Sequence, residues 1–383
     1  MKAKIHFNPI SQLQKHIKIN SNFSNPIKII RTSSIQDIKK CIDEIWQYSL
    51  AGKWCLGFIS FEAAQAFDKS YKTHISKMPL IYFAIYDTCQ NIEFDNNINN
   101  SVAKFKFSIN LNQNKYKNDF AYIKSCINNG DIYQINYTQN LQNPALDLDY
   151  NKIYYSLLKQ QPNAYSAYIQ YTLDNIEHRI LSFSPELFFH YTPINKSILT
   201  QPMKGTSKRG QTQQQDDMFK YNLSYSAKEQ AENIMIVDLL RNDLSKICEK
   251  RSIKVENIFE CIKLPTVWQM ISSVKGVVKD NITLFEILRA IFPCGSITGA
   301  PKIESMKIIN KLEDEPRNIY CGTIGLIKPY GECIFNVAIR TLYTTYQDDK
   351  LLMNYGVGSG ITIDANCEDE FLELYAKTVF LNN

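Results

Sequence analysis

The sequence lacks any run of about 18 consecutive apolar residues, the length that a membrane-spanning helix needs. Residues 1–20 also lack the apolar centre of a signal peptide. No long run of basic residues occurs, and the net charge of +5 is spread over 383 residues. These absences argue against secretion, membrane insertion and nucleic-acid binding. We therefore expect a cytoplasmic protein whose mild positive charge suits a small anionic substrate.

Metal and nucleotide motifs are missing as well. The ten cysteines include no C-x-x-C pair, and the five histidines have no zinc-site spacing. Residues 205–210 have the glycine spacing of a phosphate-binding loop, but Gln211 stands where that loop requires lysine. We expect reduced cysteines in the core, and neither a disulfide framework nor a nucleotide loop.

The chain has enough apolar material for a sizeable core, since 44% of its residues are hydrophobic and 21% are charged. Hydrophobic periodicity and end signals predict helices over residues 35–50, 115–129, 226–240, 284–291 and 369–380. Strands are predicted over residues 56–61, 80–86, 180–191 with a break at Pro185, 334–346 and 351–355, the last two as a pair. This order favours an α+β sandwich over a doubly wound sheet. An asparagine-rich patch at 95–101 is a candidate domain boundary.

Two pairs of glutamates stand three residues apart within predicted helices, Glu229 with Glu232 and Glu370 with Glu373. Three residues is nearly one helical turn, so each pair projects from one face of its helix. Two such helices facing each other would present four carboxylates to one hard cation such as Mg²⁺, which prefers oxygen ligands and retains water. A single pair with this spacing is more often part of a solvated helix face, so the spacing alone leaves both interpretations open.

A series of segments resembles the chorismate-utilising enzymes, which include anthranilate, aminodeoxychorismate, isochorismate and salicylate synthases. The segments keep the family's order over residues 115–380: GDIYQINYT from Gly130, SPELFF from Ser184, PMKGTSKRG from Pro202, EQAENIMIVDLLRNDL from Glu229, PCGSITGAPK from Pro293, YCGTIGLI from Tyr320, IRT from Ile339, GVGSGITIDAN from Gly356 and EFLELYAKT from Glu370. The N-terminal third resembles the family more loosely, through GFISFEAAQAF from Gly57.

The resemblance implies one large α+β domain over residues 1–383, with a more divergent part at 1–100 and a catalytic region at 115–380. Two β-sheets would pack face to face with helices outside, and the active site would open between the layers. On this basis the patch at 95–101 is not expected to divide two domains.

Two positions distinguish the reactions of this family. Gln134 stands where isochorismate and salicylate synthases have a lysine that activates water, and a neutral amide cannot act as that base. Lys204 stands where anthranilate synthases usually have alanine and aminodeoxychorismate synthases typically have lysine. The resemblance implies that this amine attacks ring carbon 2 of chorismate, the 4-hydroxyl leaves, and ammonia then displaces the lysine by adding at carbon 4. The alternative is a lysine that only pairs with a substrate carboxylate.

The resemblance also assigns a general acid. Glu186 is expected to protonate the leaving hydroxyl, with a raised pKa that apolar neighbours such as Leu187 and Phe188 would support. A carboxylate that only caps the turn after Pro185 is the alternative. The other implied groups are Glu232 and Glu373 as direct Mg²⁺ ligands, Glu229 and Glu370 as ligands through water, Arg340 for one substrate carboxylate, the backbone N–H groups of Gly358, Ser359 and Gly360 for the other, and Gln134, Thr298, Tyr320 and Lys377 as lining residues.

The sequence departs from the family at Gln269, where many relatives have histidine, which puts a protonation role of that position in doubt. No glutamine amidotransferase or aminodeoxychorismate lyase segment is recognisable, so we expect ammonia from a separate glutamine amidotransferase subunit or from solution. The expected enzyme is aminodeoxychorismate synthase component I, a transaminating transferase acting on chorismate for para-aminobenzoate and folate synthesis. The alternatives are anthranilate synthase component I, which eliminates pyruvate after amination, and a catalytically silent chorismate-binding subunit.

Overall fold

The computed structural model describes residues 1–9, 11–14, 17–92, 107–108, 110–145, 148–162, 164–265 and 267–382. The asparagine-rich patch at 95–101 lies outside these residues. The helices are α1 (Ile38–Leu50), α2 (Gln113–Asn128), α3 (Tyr150–Gln160), α4 (Gln213–Ser224), α5 (Ala227–Ser245), α6 (Leu284–Ile291), α7 (Lys302–Leu312), α8 (Cys367–Ala376) and α9 (Val379–Asn382). None of the helices in the described part of the chain is long and apolar enough to cross a membrane.

Strands form the larger part of the ordered structure. They are β1 (Lys2–Phe7), β2 (Ile19–Phe23), β3 (Lys28–Thr32), β4 (Trp54–Ile59), β5 (Ile81–Tyr86), β6 (Gln90–Asn91), β7 (Gln134–Pro144), β8 (Tyr165–Leu173), β9 (Ile176–Ser184), β10 (Leu187–Thr192), β11 (Ser197–Gln201), β12 (Met203–Lys208), β13 (Lys254–Lys263), β14 (Val267–Val277), β15 (Gly299–Ala300), β16 (Thr323–Ile327), β17 (Cys333–Asn336), β18 (Thr341–Gln347) and β19 (Lys350–Ile361).

The strands make two antiparallel sheets. The first has nine strands in the order β15-β7-β19-β18-β9-β8-β1-β2-β6. The second has ten, in the order β12-β14-β11-β10-β17-β16-β4-β5-β3, with β13 also pairing with β14. The two sheets pack on each other, which confirms the predicted α+β sandwich.

Alternation along the strands separates two apolar cores. Ala167 and Ile169 on β8 belong to the main core, which they share with residues of the second sheet such as Phe58. Tyr168, between them in the sequence, belongs to a second core beneath helix α3, where its ring stacks on Tyr154. The first sheet is therefore covered by the second sheet on one face and by helices on the other.

Local signals place several elements where the sequence predicts them. Helix α6 has the predicted bounds because Thr283 and Glu286 form a reciprocal capping box at its start. The predicted break at Pro185 separates β9 from β10. Helix α5 begins as predicted, where the Ser226 side chain caps it, but it continues to Ser245 instead of ending at residue 240.

Two predictions near the C-terminus are wrong. Residues 334–346 do not form one strand: β17 lies in the second sheet and β18 in the first, and the chain crosses between them around Arg340, whose φ is 49°. Because the connecting Val337 and Ala338 are buried, the apolar pattern runs through the crossing and conceals it. The predicted helix 369–380 is two helices, α8 and α9. The predicted pairing of residues 351–355 with the strand before them is confirmed by the β18–β19 ladder.

Candidate active site

The ammonium group of Lys204 lies over a glycine of the opposite sheet. Lys204 is on β12 of the second sheet and Gly360 is on β19 of the first. A Cβ added to Gly360 would stand 2.7 Å from Lys204 Nζ and 3.8 Å from Gln134 Nε2. Because glycine has no side chain, Gly360 leaves room for the Lys204 ammonium group. The Lys204 ammonium forms neither a hydrogen bond nor an ion pair with any other described residue.

Gln134 is a buried amide without partners. It begins β7 and is 0% exposed, and neither Nε2 nor Oε1 has a hydrogen-bond partner among the described residues. A buried amide without partners costs a few kcal/mol, and such groups in folded proteins usually meet a ligand or water. With its Nε2 near Lys204 Nζ, Gln134 offers the two N–H donors of Nε2 and the acceptor Oε1 to a molecule bound between the sheets.

Glu186 has the raised pKa that its expected role requires. Its side chain is buried between β9 and β10, and burial raises the pKa of the carboxyl to about 7, although Ser296, Lys204 and the Met203 backbone each act to lower it. The Ser296 hydroxyl donates a 2.6 Å hydrogen bond to Glu186 Oε1. The carboxylate thus contacts a remote turn, Gly295–Ile297, rather than the turn at Pro185. A carboxyl with a pKa near neutrality can donate a proton at physiological pH.

The predicted glutamate pairs lie on α5 and α8 and perturb each other. Burial and the neighbouring Glu232 raise the pKa of Glu229, and Glu373 on the other helix adds to the effect. Burial and Glu373 raise the pKa of Glu370 to about 7, with a smaller contribution from Glu232. The two helices therefore bring all four carboxylates within electrostatic range of one another.

The suitability of these carboxylates for a cation can be judged from their contacts. Glu370 Oε2 is buried without a hydrogen-bond partner among the described residues. An oxygen in this state is available to coordinate a cation. Lys377 Nζ lies 2.5 Å from Glu373 Oε1, and this lysine lowers the pKa of Glu373 although burial acts in the opposite direction. No three His, Cys, Asp or Glu side chains of the described residues are arranged closely enough to coordinate an ion. Carboxylate oxygens are suitable donors for a hard cation. In this structure, however, the Glu373 carboxylate is paired with Lys377.

Backbone donors are available on β19. Asn136 and Thr138 on β7 direct their N–H groups to Thr298 O and Glu313 Oε1, away from β19, so the facing Gly360 and Gly358 form non-hydrogen-bonded pairs with them. The N–H groups of both glycines consequently point to the other edge of β19. Strand β18 pairs with β19 only over residues 350–355, so it does not reach them. Two N–H groups on an open edge can bind a carboxylate.

Arg340 is a partly buried cation at the crossing between the sheets. Its Nη1 donates a 2.7 Å hydrogen bond to Gln161 Oε1, and burial lowers the pKa of its guanidinium. No Asp or Glu of the described chain forms an ion pair with it. A desolvated cation without a counter-ion is costly unless an anion is bound, so Arg340 suits a substrate carboxylate.

The remaining predicted residues contribute unequally. Lys377 Nζ donates a 2.5 Å hydrogen bond to Gly358 O, and the Tyr320 ring packs against Gly356, where an added Cβ would lie 2.2 Å from Cδ1. Buried Thr298 donates its hydroxyl to Cys294 O at 2.9 Å. The side chain of Ser359 turns to the helix-covered face, where its hydroxyl and Tyr116 Oη are 2.8 Å apart. Its backbone N–H, the predicted donor, points toward β7, because Ser359 faces Tyr137 between two non-hydrogen-bonded pairs of the ladder.

Two residues near the site have contacts that the motifs did not reveal. Ser296 lies inside the quoted segment PCGSITGAPK, but only its spatial contact with Glu186 shows its importance. Gln269 Nε2 donates to Gly205 O at 2.8 Å and its Oε1 accepts from Thr206 Oγ1 at 3.1 Å. Gln269 thus supports the backbone of β12 next to Lys204, a role that needs no proton transfer.

A cavity of about 400 Å³ lies beside this site. Many of its lining residues come from β7 and from the segment after α7, including Thr138, Glu313 and Arg317. Tyr320 is the predicted site residue that lines it. Neither Lys204 nor Gln134 lines the cavity, so it is distinct from the space between these two residues.

Comparisons with known proteins identify the family of the chain. A family model described as chorismate binding enzyme matches residues 95–383. Aminodeoxychorismate synthase component 1 of Escherichia coli (strain K12) is 34% identical over 268 residues, which are 70% of this chain and 57% of that protein. Anthranilate synthase component 1 of Saccharolobus solfataricus is 31% identical over 339 residues, 84% of this chain and 78% of that protein.

The fold is shared with a solved structure. Anthranilate synthase component I from Streptococcus pneumoniae superposes with a TM-score of 0.75 at 21% identity, covering 100% of this chain and 90% of that one. The chain spans about half the length of several curated relatives that it matches, and 30% of two plant relatives. The matched region contains every predicted site residue, from Gln134 to Lys377. The chain belongs to the chorismate-binding enzyme family.

Proposed function

We propose that the chain is component I of an aminodeoxychorismate synthase and converts chorismate and ammonia to 4-amino-4-deoxychorismate. The observation that carries the proposal is the position of Lys204 Nζ above Gly360, beside the unpartnered amide of Gln134. A primary amine that forms no ion pair is available as a nucleophile. Anthranilate synthases, which usually have alanine at this position, lack such an amine. Gln134 argues against water as the nucleophile because it cannot accept a proton.

The proposed reaction divides the displacement into two steps. The neutral Lys204 amine bonds to ring carbon 2, and both ring double bonds shift by one position toward carbon 4. The bond from carbon 4 to its hydroxyl breaks as Glu186 supplies a proton, so that water leaves. Ammonia then bonds to carbon 4, both double bonds shift back, and the lysine departs from carbon 2. The raised pKa of Glu186, about 7, supports its role as the acid because part of the population holds the proton at neutral pH.

Substrate charge would be met by groups from both sheets. Arg340 would bind one carboxylate through its guanidinium, and the N–H groups of Gly358 and Gly360 would bind the other. Four carboxylates, those of Glu229, Glu232, Glu370 and Glu373, would hold Mg²⁺. When bound, the cation would neutralise the substrate carboxylate beside it. When Mg²⁺ binds, the ion pair between Lys377 and Glu373 would break, and Lys377 would keep its hydrogen bond to Gly358 O.

The ammonia source is proposed to be a separate glutamine amidotransferase subunit. The names of several similar proteins, aminodeoxychorismate synthase component 1, indicate that those enzymes have a second component. The product would serve para-aminobenzoate and folate synthesis. Anthranilate synthase component I is the second candidate, because this chain covers 78% of the archaeal anthranilate synthase component at 31% identity. Its reaction would release pyruvate, which the proposed reaction does not.

The test is product identification by mass spectrometry after incubating the chain with chorismate, Mg²⁺ and ammonium. We expect aminodeoxychorismate from the wild type and its loss in Lys204→Ala. The matched control is Lys208→Ala, four residues along the same strand, whose amine instead lies 5.2 Å from the centre of the Phe219 ring. Anthranilate with pyruvate would favour the second candidate. Absence of chorismate consumption would indicate an obligatory partner or a silent chorismate-binding subunit.

A further inference from the structure

The edge of β7 next to the site is only partly covered by another strand. Strand β15 pairs with it at two positions, Ala300 with Gln134 and Gly299 with Ile135. Beyond them the outward-facing polar groups of β7 include the N–H and C=O of Asn136 and the N–H of Thr138. Buried backbone groups of this kind need partners, because leaving them unpaired costs about 1–3 kcal/mol each.

A buried ion pair supplies the partners of Asn136 O and Thr138 N. Arg317 and Glu313 have side chains that are 2% and 5% exposed, and two hydrogen bonds of 2.8 and 2.7 Å join them side by side. Arg317 Nη2 also donates to Asn136 O at 2.8 Å, and Glu313 Oε1 accepts from Thr138 N at 2.9 Å. The pair therefore offers one donor and one acceptor to the edge of β7, as a neighbouring strand would.

The same pair reaches the turn that carries the groups around the acid. Arg317 Nη1 donates a 2.7 Å hydrogen bond to Ile297 O. The adjoining residues are Ser296, which donates to Glu186, and Thr298, whose carbonyl accepts from Asn136 N at 2.8 Å. One guanidinium consequently holds β7, the turn Gly295–Ile297 and, through Ser296, the environment of the acid.

Arg317 is itself held rigidly in place. Its guanidinium lies 4.6 Å from the centre of the Phe61 ring, and its backbone N–H donates to Glu62 Oε1 at 2.7 Å. A planar group with five donors in a fixed fork can satisfy three segments at once, which a lysine cannot. The pair therefore has the geometry of a precise spacer rather than of a general stabilising contact.

We propose that Glu313 and Arg317 form a positioning pair that fixes β7 against the turn Gly295–Ile297 and so aligns Gln134 and Glu186 toward chorismate; this inference rests on the proposed function. Neither residue touches the reacting atoms. Misplacement of reacting groups by about 1 Å can cost about 100-fold in rate. Loss of the pair should therefore lower kcat much more than it changes the KM for chorismate.

The central variant is Arg317→Lys, which keeps the charge but loses the fork. Its matched control is Glu332→Gln, which breaks another partly buried pair, with His190 at 3.1 Å and Lys328 at 2.9 Å, and involves no predicted site residue. We expect kcat for chorismate consumption with ammonium to fall about 10- to 100-fold in Arg317→Lys, with less than a threefold change in KM. The control should lower the unfolding temperature without this kinetic change.

Amide hydrogen exchange provides a readout that needs no activity. The amides of Asn136 and Thr138 should exchange faster in Arg317→Lys and should be unchanged in Glu332→Gln. The inference is overturned if Arg317→Lys matches the control in kcat, KM and exchange. An anthranilate product from the wild type would refute the proposed function. The comparison of Arg317→Lys with Glu332→Gln would still test the positioning pair. If the wild type consumes no chorismate, exchange decides: faster exchange supports the pair and unchanged exchange overturns it.

Discussion

Ser296 and Glu186 are 110 positions apart in the chain, yet the Ser296 hydroxyl donates a hydrogen bond of 2.6 Å to the Glu186 carboxylate. A hydroxyl donor stabilises the ionised form, so it opposes the burial that raises the pKa of this carboxyl to about 7. Lys204 also lowers that pKa, and the buried thiol of Cys294 lies within electrostatic range. Burial thus sets the direction of the pKa shift of Glu186, and a turn from a distant part of the sequence limits its size.

The first prediction concerns Ser296→Ala. Without the hydroxyl, the pKa of Glu186 should rise by about one unit, because a hydrogen bond to a charged group contributes about 1.5 kcal/mol and one pKa unit is about 1.4 kcal/mol. Since the acid must be protonated, activity should persist to a higher pH. A pH profile of kcat measures this shift. Ser182→Ala, which removes a buried hydroxyl bonded to Thr341, is the control, and an unmoved alkaline limb in Ser296→Ala would contradict the assignment.

The second prediction concerns the pH dependence of stability at Glu62. Burial raises the pKa of this carboxyl from 4.5 to about 8. Between these values the folded state binds more protons than the unfolded state, so the free energy of unfolding should fall as pH rises through this window, by up to about 1.4 kcal/mol per pH unit. Glu62→Gln should flatten that slope. Chemical denaturation at several pH values is the measurement, and an equally steep slope in the variant would show that other groups cause it.

The third prediction concerns Gly360→Ala. The added methyl would stand 2.7 Å from Lys204 Nζ, closer than van der Waals contact permits, so the amine must move away from the site. We expect product formation to fall about 10- to 100-fold because a displaced nucleophile loses its alignment. The flexible lysine can absorb the clash, so the unfolding temperature should change little. Full activity in this variant would indicate that the amine does not act at this position.

The fourth prediction concerns Mg²⁺. A cation that binds the folded state alone raises its stability, so added Mg²⁺ should raise the unfolding temperature of the wild type. Glu232→Gln should abolish that rise together with activity. Glu368→Gln, which alters an exposed carboxylate on the same helix as Glu370, should retain both effects. Equal responses to Mg²⁺ in Glu232→Gln and the wild type would exclude the carboxylate pairs as its site.

The elements that the sequence predicts well are those with local causes. Helix α6 follows from its capping box and apolar period, and the break at Pro185 follows from a missing N–H. The placement of each glutamate pair on one helix also follows from spacing. That these two helices share a site with Lys204 and Glu186 is predicted by the family resemblance and cannot be inferred from residue spacing.

The features that escaped prediction depend on contacts between distant segments. The crossing at Arg340 interrupts no local pattern, because the residues before it are as apolar as the strands. Glu313 and Arg317 look like an ordinary pair of charges four residues apart, as is common on solvated surfaces. Only the folded chain shows that they replace a strand along the edge of β7. The role of this pair depends on where β15 stops pairing with β7, and a short stretch of sequence does not reveal that point.

The end of β18 pairing at Tyr355 has an evolutionary consequence for β19. Beyond that point the same ladder geometry that builds a sheet presents main-chain N–H groups to the site. Main-chain donors persist through every substitution except proline. Under the proposed function, carboxylate binding at this edge would therefore depend on the fold rather than on a particular side chain. Under the proposed function, a substitution at Lys204 would change the reaction and leave these main-chain donors in place.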